Sequence, residues 1–225
     1  MHASPPPSTA PEPLARLLLQ WGVAPVAAAP AAARLGGGLG WADAIALSQV
    51  LAAPPAAGAD AAARQEAQAW AAAALDRLQA ELAAGFDDAE LARDAAEPAP
   101  DGMPLADLLA PFRLHHTQQQ RTMAARVATL RERLRPRLAA ASGALARLAQ
   151  LDAIFEQALA AQERERLAGL ATLLTRRAEA HQLADPRRWR QRFWADLQRA
   201  LRAELDLRLQ PVQGLIDALH PADSR

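Results

Sequence analysis

The stretch MAARVATLRERLRPRL, residues 123–138, decides the fold of this chain of 225 residues. Its apolar residues recur at steps of four, three, four and four, at Met123, Val127, Leu130, Leu134 and Leu138. This spacing places them along one side of an α-helix, in a coiled-coil-like seam over about two heptads. Pro136 lies inside the pattern, where a proline kinks a helix or begins a new one. The stretch therefore predicts a long helix whose apolar side packs against other helices.

Two further long helices are predicted after this stretch. One follows a turn at Ser142-Gly143 and runs to about Leu183. The other begins with Asp185 as N-cap and Pro186 as its first residue. Its apolar stripe consists of Trp189, Phe193, Leu197, Leu201 and Leu205. The short turns predict an antiparallel long-helix bundle over residues 104–219.

Pro211 is predicted to end the third long helix, because the residue before a proline is biased away from the helical conformation. Val212, Leu215, Ile216 and Leu219 would then form a short separate helix that covers one end of the bundle. The alternative use of this short helix is as a partner surface.

The first half of the chain is predicted to form shorter helices separated by proline and glycine. Residues 1–111 contain 13 of the 17 prolines. Residues 1–12 are predicted to be a disordered Pro-rich tail, and residues 13–96 a smaller N-terminal helical lobe with Pro/Gly linkers. The chain has no alternating run of β-branched residues of strand length. The sequence therefore predicts an all-α fold.

Charge is unevenly distributed, although the net charge is zero. Residues 1–111 carry 5 Arg and 13 acidic residues, a net charge of −8, and residues 112–225 carry 20 Arg and 12 acidic residues, a net charge of +8. The halves are predicted to face each other or a second copy of the chain, so homo-oligomerisation is left open. The alternative is that the basic half meets an acidic partner or nucleic acid.

The composition also limits the compartment and the kind of site. The chain has no cysteine, which fits a reducing compartment. The first residues, MHASPPPSTAPEP, lack a basic start followed by an apolar core, and no run approaches the roughly 18 apolar residues of a membrane span. We therefore expect a cytoplasmic protein with no direct membrane insertion.

Two arginine clusters are the candidate contact residues. Arginine forks beside aromatic residues bind phosphates and stack on bases, which makes nucleic acid one candidate partner. Trp189, however, belongs to the apolar stripe, and the arginines around Pro136 spread around the helix. A solvated helix surface or a contact with an acidic partner is therefore favoured over nucleic acid. The candidate contact residues are Arg131, Arg133, Arg137, Arg187, Arg188, Arg190 and Arg192.

Catalytic and cofactor motifs are not recognised in the sequence. The glycines at 36–38 precede no Lys, so a phosphate-binding loop is not predicted. Adjacent His115 and His116 point about 100° apart on a helix, which does not suit a metal site. The paired carboxylates lie in Arg-flanked helical settings. The sequence predicts no enzyme activity, no cofactor and no metal.

Four blocks of sequence resemble a known family. They are GWADAIALSQVL (40–51), PFRLHHTQQQRTMAARVATLRERLRPRL (111–138), LARLAQLDAIFEQAL (145–159) and ELDLRLQPVQGLIDAL (204–219). In this order they resemble the proteobacterial family called domain of unknown function 3348. The family offers no catalytic residues to transfer. The resemblance implies a context beside MotA/MotB-like stator genes, as in the type III Zorya anti-phage defence system.

The sequence and the resemblance together give one leading hypothesis. The protein is expected to be a non-enzymatic cytosolic helical interaction protein, accessory to a MotA/MotB-like membrane complex in anti-phage defence. It would dock through helix faces and Arg–carboxylate contacts. The alternative is a nucleic-acid-binding effector that uses the Arg-rich C-terminal half.

Overall fold

The computed structural model describes residues 13–23, 39–54, 58–100 and 102–220, with only the backbone at residue 166. This part of the chain is all-α, as predicted, and has no β-strand. It contains seven helices: α1 (Pro13–Gln20), α2 (Trp41–Ala52), α3 (Ala61–Phe86), α4 (Ala89–Ala96), α5 (Leu105–Ala141), α6 (Gly143–Ala184) and α7 (Trp189–Asp217). The tail predicted over residues 1–12 lies outside the described residues, as does most of the glycine-containing linker.

The long helices α5, α6 and α7 pack against one another and form the bundle. The predicted turn at Ser142 is confirmed: Ser142 is the N-cap of α6, and its Oγ accepts a hydrogen bond from the Leu145 N–H at 3.2 Å. The predicted start of α7 is wrong by three residues. Asp185 accepts a hydrogen bond from the Arg188 N–H at 3.2 Å, which closes a turn, so the helix begins at Trp189.

The two apolar stripes predicted in the bundle are confirmed as core. Every residue of the Met123 to Leu138 seam is at most 7% exposed. The stripe of α7 from Trp189 to Leu205 is at most 5% exposed. α6 contributes Leu170, Leu174 and Ala178 to the same buried cluster. The spacing of apolar residues therefore identified the packed sides of α5 and α7.

Proline does not end the long helices. α5 continues through Pro111 and Pro136, so no new helix begins at Pro136, and α7 continues through Pro211. The predicted separate helix after Pro211 is wrong. A proline inside a helix costs about 3 kcal/mol, but Val212, Leu215 and Ile216 are buried as a continuation of α7. Each such burial contributes about 1.5–3 kcal/mol, so together they outweigh the cost of the proline.

The N-terminal helices pack onto this bundle. α3 lies along α5, α1 and α4 lie on α7, and α2 lies on α6. Leu17 of α1 and Phe86 of α3 belong to the same cluster of buried residues as the bundle core. The division into an N-terminal lobe (13–96) and a C-terminal bundle (104–219) stays a prediction.

The acidic and basic halves face each other within one chain. Arg126 of α5 pairs with Glu81 of α3, and Arg202 of α7 contacts Asp87 at 3.5 Å. Arg190 of α7 pairs with Asp94 of α4. The structure thus shows the first of the two explanations for the charge asymmetry.

Candidate functional site

An open groove of about 680 Å³ lies between α6 and α7 and reaches α5 at one end. Its volume is in the range of ligand and peptide-anchoring sites, about 300–1,000 Å³. The apolar lining comes from Leu148, Leu151, Phe155 and Leu159 of α6 and from Leu207, Pro211 and Leu215 of α7. The polar lining comes from Arg131, Asp152, Glu156, Gln162, Glu163 and Gln210. We call this feature the α6–α7 groove.

The groove exists because one side of α6 is incompletely covered. Phe155 and Leu159 continue the apolar pattern of α6 but are only half-buried. Opposite them α7 carries Gly214, where an added Cβ would meet no atom within 4 Å. The absence of a side chain at this position leaves space where a larger residue would fill the groove.

A four-residue ionic cluster forms the end of the groove near α5. Asp152, which is 7% exposed, accepts hydrogen bonds from Arg131 at 2.5 Å and from Arg135 Nε at 2.9 Å. Glu156 contacts Arg131 at 3.4 Å and also pairs with Arg135. Burial opposes the charge on Arg135, but its hydrogen bonds to Glu156 and Asp152 raise its pKa overall. The two guanidinium charges are therefore balanced by two carboxylates.

A second ionic cluster connects the groove to the core. Glu204 has no exposed surface and accepts hydrogen bonds from Gln120 at 3.0 Å and from Arg208 at 2.7 Å. His116 Nε2 lies 3.6 Å from the same carboxylate. Burial alone would raise the pKa of Glu204, but the nearby His116, the hydrogen bond from Gln120 and the charge of Arg208 lower it overall.

Arg208 carries this cluster to the edge of the groove. It donates to Oε1 of Glu163 at 2.5 Å, and the side chain of Glu163 is 43% exposed. Glu163 also lines the groove.

Pro211 also changes the backbone of α7. Proline has no N–H, so Pro211 cannot donate the usual helical hydrogen bond to the carbonyl oxygen of Leu207. Both residues line the groove.

The arginines predicted as contact residues do not form one patch. Arg133 and Arg137 lie over the ring of Trp70 at 5.4 and 3.7 Å, and Arg131 belongs to the ionic cluster at the groove.

The arginines near the start of α7 have different surroundings. Arg190 is buried against Asp94, and Arg192 pairs with Asp185 at 3.2 Å. Arg187 and Arg188 are exposed. Arg131, in the first arginine cluster, pairs with Asp152 of α6. Asp152 lies 32 residues before the end of α6, or roughly 48 Å along the helix, so this cluster lies far from the arginines at the start of α7. Contact of these arginines with a partner or nucleic acid stays a prediction.

The two adjacent histidines have packing roles. The ring of His115 faces the Phe86 carbonyl oxygen at 3.2 Å and lies 5.6 Å from the ring of Trp194. Within the described part of the chain, no group of three or more His, Asp or Glu side chains is arranged to hold a metal ion. None of the helices in that part combines the length and apolar character needed to cross a bilayer.

Comparison with known proteins gives one finding. Residues 1–221 match the family described as protein of unknown function DUF3348. Neither the curated proteins nor the solved structures give a match. The match covers nearly the whole chain, in agreement with the resemblance of the four sequence blocks. The chain therefore belongs to the DUF3348 family.

Proposed function

We propose that this protein is a non-enzymatic interaction module that binds a helical segment of a partner protein in the α6–α7 groove. The observation that carries the proposal is the groove itself, with half-buried Phe155 and Leu159 and an open space beside Gly214. An amphipathic helix binds such a groove by inserting one row of apolar side chains. From Leu148 to Glu163 the groove follows 15 residues of α6, roughly 22 Å, or about four helical turns.

Binding fits the ionisable groups of the groove better than catalysis does. Asp152, Glu156 and Glu163 are each paired with arginine. General acid–base catalysis needs a carboxyl group within hydrogen-bond reach of the substrate, whereas these carboxylates are engaged by guanidinium groups. The paired carboxylates instead supply a fixed polar border for an apolar site, as in protein interfaces.

The family resemblance suggests which partner to test first. It implies a cytosolic accessory protein beside a MotA/MotB-like membrane complex, with a role in anti-phage defence. In that setting the occupant of the groove would be a cytosolic helical segment of the membrane complex. We propose this partner and this cytoplasmic location on the resemblance alone.

The test fills the groove without disturbing the core. Gly214→Trp places a large side chain in the groove, and Gly169→Trp is the matched control, because an added Cβ at either helical glycine meets no atom within 4 Å. Binding to the purified MotA/MotB-like complex from the same gene neighbourhood is measured by biolayer interferometry. We expect at least a tenfold loss of affinity for Gly214→Trp and wild-type affinity for Gly169→Trp. Equal binding by both variants, or no binding by the wild type, contradicts the proposal.

Nucleic-acid binding is the second proposal, and we give it less weight. The exposed pair Arg187 and Arg188 favours it, while Arg131 and Arg190 already have internal carboxylate partners. Phosphate contacts would make the affinity for a DNA duplex fall steeply between 50 and 200 mM salt. Absence of duplex binding at 50 mM salt rejects this proposal.

A further inference from the structure

Two arginines of α5 meet one tryptophan of α3 at a place that does not line the α6–α7 groove. The guanidinium carbon of Arg137 lies 3.7 Å from the ring centre of Trp70, and that of Arg133 lies 5.4 Å from the same centre. Because both distances end at one ring, the two guanidinium groups are neighbours. We propose that Arg133 and Arg137 bind a phosphate group that comes from outside the chain. We call these three residues the Trp70 site.

The missing counter-charge is the first step of the argument. Arg137 is half-buried, and no Asp or Glu in the described part of the chain pairs with it or with Arg133. The other two arginines of α5 that are not exposed, Arg131 and Arg135, are both held by Asp152. A cation that is partly removed from water is costly unless an opposite charge compensates it. An anion bound from outside would supply that charge.

The ring of Trp70 positions the guanidinium groups without neutralising them. An aromatic face attracts a cation through its quadrupole, and the cation keeps its full charge. Arg133 and Arg137 are four residues apart on one helix, so their charges repel each other. Glu66, one turn before Trp70, and Glu132 are exposed and pair with neither arginine. The site is thus a fixed pair of like charges, which an anion between them stabilises.

The free hydrogen-bond donors indicate which anion fits. Each arginine has five N–H donors. Arg137 donates one hydrogen bond, to the carbonyl oxygen of Arg133 at 2.7 Å, and the Arg133 side chain donates none within the described residues. A phosphate group has enough oxygens to accept paired N–H groups from two guanidinium forks, whereas a carboxylate has two oxygens and matches one fork. The same chemistry is offered by a free phosphate ester and by a nucleic-acid backbone.

The first experiment uses pyrophosphate as the probe and the full chain as the protein. Isothermal titration calorimetry at pH 7.5 in low salt should show saturable binding to the wild type. We expect Arg137→Gln to weaken this binding at least tenfold and Arg133→Gln to weaken it about fivefold. Arg121→Gln is the matched control and should change the affinity less than twofold. It removes the same charge from an exposed position on α5 that has no contact with Trp70.

Thermal melts provide a second measurement and a check on folding. Pyrophosphate at ten times its Kd should raise the Tm of the wild type by about 3 °C and leave that of Arg137→Gln unchanged. Melts without pyrophosphate show whether each variant is folded. Because Arg133 is exposed, Arg133→Gln retains the test if Arg137→Gln does not fold.

Two further ligands, ADP and a single-stranded DNA of 20 nucleotides, distinguish the source of the phosphate. A strand that binds at least tenfold more tightly than ADP, and is equally sensitive to Arg137→Gln, assigns the site to nucleic acid. ADP binding that is equal or tighter assigns it to a free phosphate ester. Absence of saturable pyrophosphate binding below 5 mM, or equal losses for Arg137→Gln and Arg121→Gln, overturns the inference. Neither result affects helix docking, which the Gly214→Trp comparison tests separately.

Discussion

Glu204 is a carboxylate with no exposed surface that accepts hydrogen bonds from Gln120 and Arg208 and has His116 Nε2 at 3.6 Å. Glu204→Gln removes its charge and leaves Arg208 with one carboxylate partner in place of two. Breaking a buried ion pair costs about 3–5 kcal/mol, so we expect the free energy of unfolding to fall by about 3 kcal/mol. Urea denaturation at pH 7 measures the loss. The control is Asp206→Asn, an exposed position on the same helix, for which a change above about 1 kcal/mol would contradict this explanation.

The Glu204 carboxylate also predicts that the stability of the folded protein depends on pH in the acidic range. The pKa of Glu204 is lowered in the folded protein, from an ordinary value of 4.5. The stability that it contributes is therefore fully present above pH 4.5 and is lost as the pH falls through the lowered value. The difference in unfolding free energy between the wild type and Glu204→Gln should shrink below pH 4. A difference that stays constant from pH 7 to pH 3 would contradict the lowered pKa.

His115 predicts a second pH dependence, in a different range. Burial lowers the pKa of His115 from its ordinary value of 6.5, against the opposing effects of the Phe86 carbonyl group and of Asp88, which lies 3.9 Å away. The neighbouring His116 lowers it further. The unfolded chain thus binds the proton more readily, so stability should decrease as the pH falls below 6.5 toward the lowered pKa.

The variant that checks this prediction is His115→Gln, which keeps an N–H donor for the Phe86 carbonyl oxygen. Its unfolding free energy should change less between pH 7 and pH 5 than that of the wild type. Urea denaturation at the two pH values provides the comparison. Equal slopes for the two proteins would show that His115 does not titrate differently on folding.

At the scale of helices, α5 retains Pro111 and Pro136 in its interior, and α7 retains Pro211. Pro136→Ala and Pro211→Ala both add a backbone N–H to an existing helix and remove a steric conflict with the preceding turn. We expect each to raise the free energy of unfolding by about 1 kcal/mol, which is less than the full cost of about 3 kcal/mol because the native backbone has adjusted. Thermal melts followed by circular dichroism measure the effect. Destabilisation by either variant would mean that the proline fits its helix better than alanine does.

The course of α7 is predictable from the sequence as far as Pro211 and not beyond it. Its stripe from Trp189 to Leu205 was predictable, because helical spacing alone determines which residues share a side. The continuation of α7 past Pro211 was not predictable, because the free energy gained by burying Val212 and Leu215 against other helices decides it. The conformational preference of a residue follows from its neighbours in the sequence, whereas its burial depends on residues that are distant in the sequence.

The α6–α7 groove was not predictable for the same reason. Phe155 and Leu159 have the same spacing as core residues, and only the packing of α7 leaves them half-covered. The arginines give a similar result. Arg131 and Arg190 were candidates for external contacts, but their carboxylate partners lie 21 and 96 residues away in the sequence. Charge patterns locate arginines without identifying what neutralises them.

At the scale of the whole molecule, apolar packing carries more of the contact between the two halves than charge does. Phe86, at the end of α3, and Phe112, in α5 of the bundle, are completely buried. Of the ion pairs across the contact, Arg126 with Glu81 is about half-exposed on both sides, whereas the Arg190 side chain is 5% exposed. Exposed pairs contribute about 0–1 kcal/mol, so the opposite net charges of the halves do not by themselves hold them together.

Because these two ion pairs differ in exposure, replacing the arginine of each pair by alanine should lower the free energy of unfolding by different amounts. Arg190→Ala leaves Asp94 without its partner and removes the guanidinium that lies 5.9 Å from the ring centre of Phe112. We expect it to lower the free energy of unfolding by about 2 kcal/mol, chiefly because a buried side chain is removed, and Arg126→Ala by about 0.5 kcal/mol. Because the exposed pairs contribute little, raising NaCl from 0.05 to 0.5 M should change the wild-type value by less than about 1 kcal/mol. Urea denaturation at the two salt concentrations measures this. A loss of several kcal/mol in high salt, or equal costs for the two variants, would mean that long-range attraction between the acidic and basic halves holds the molecule together.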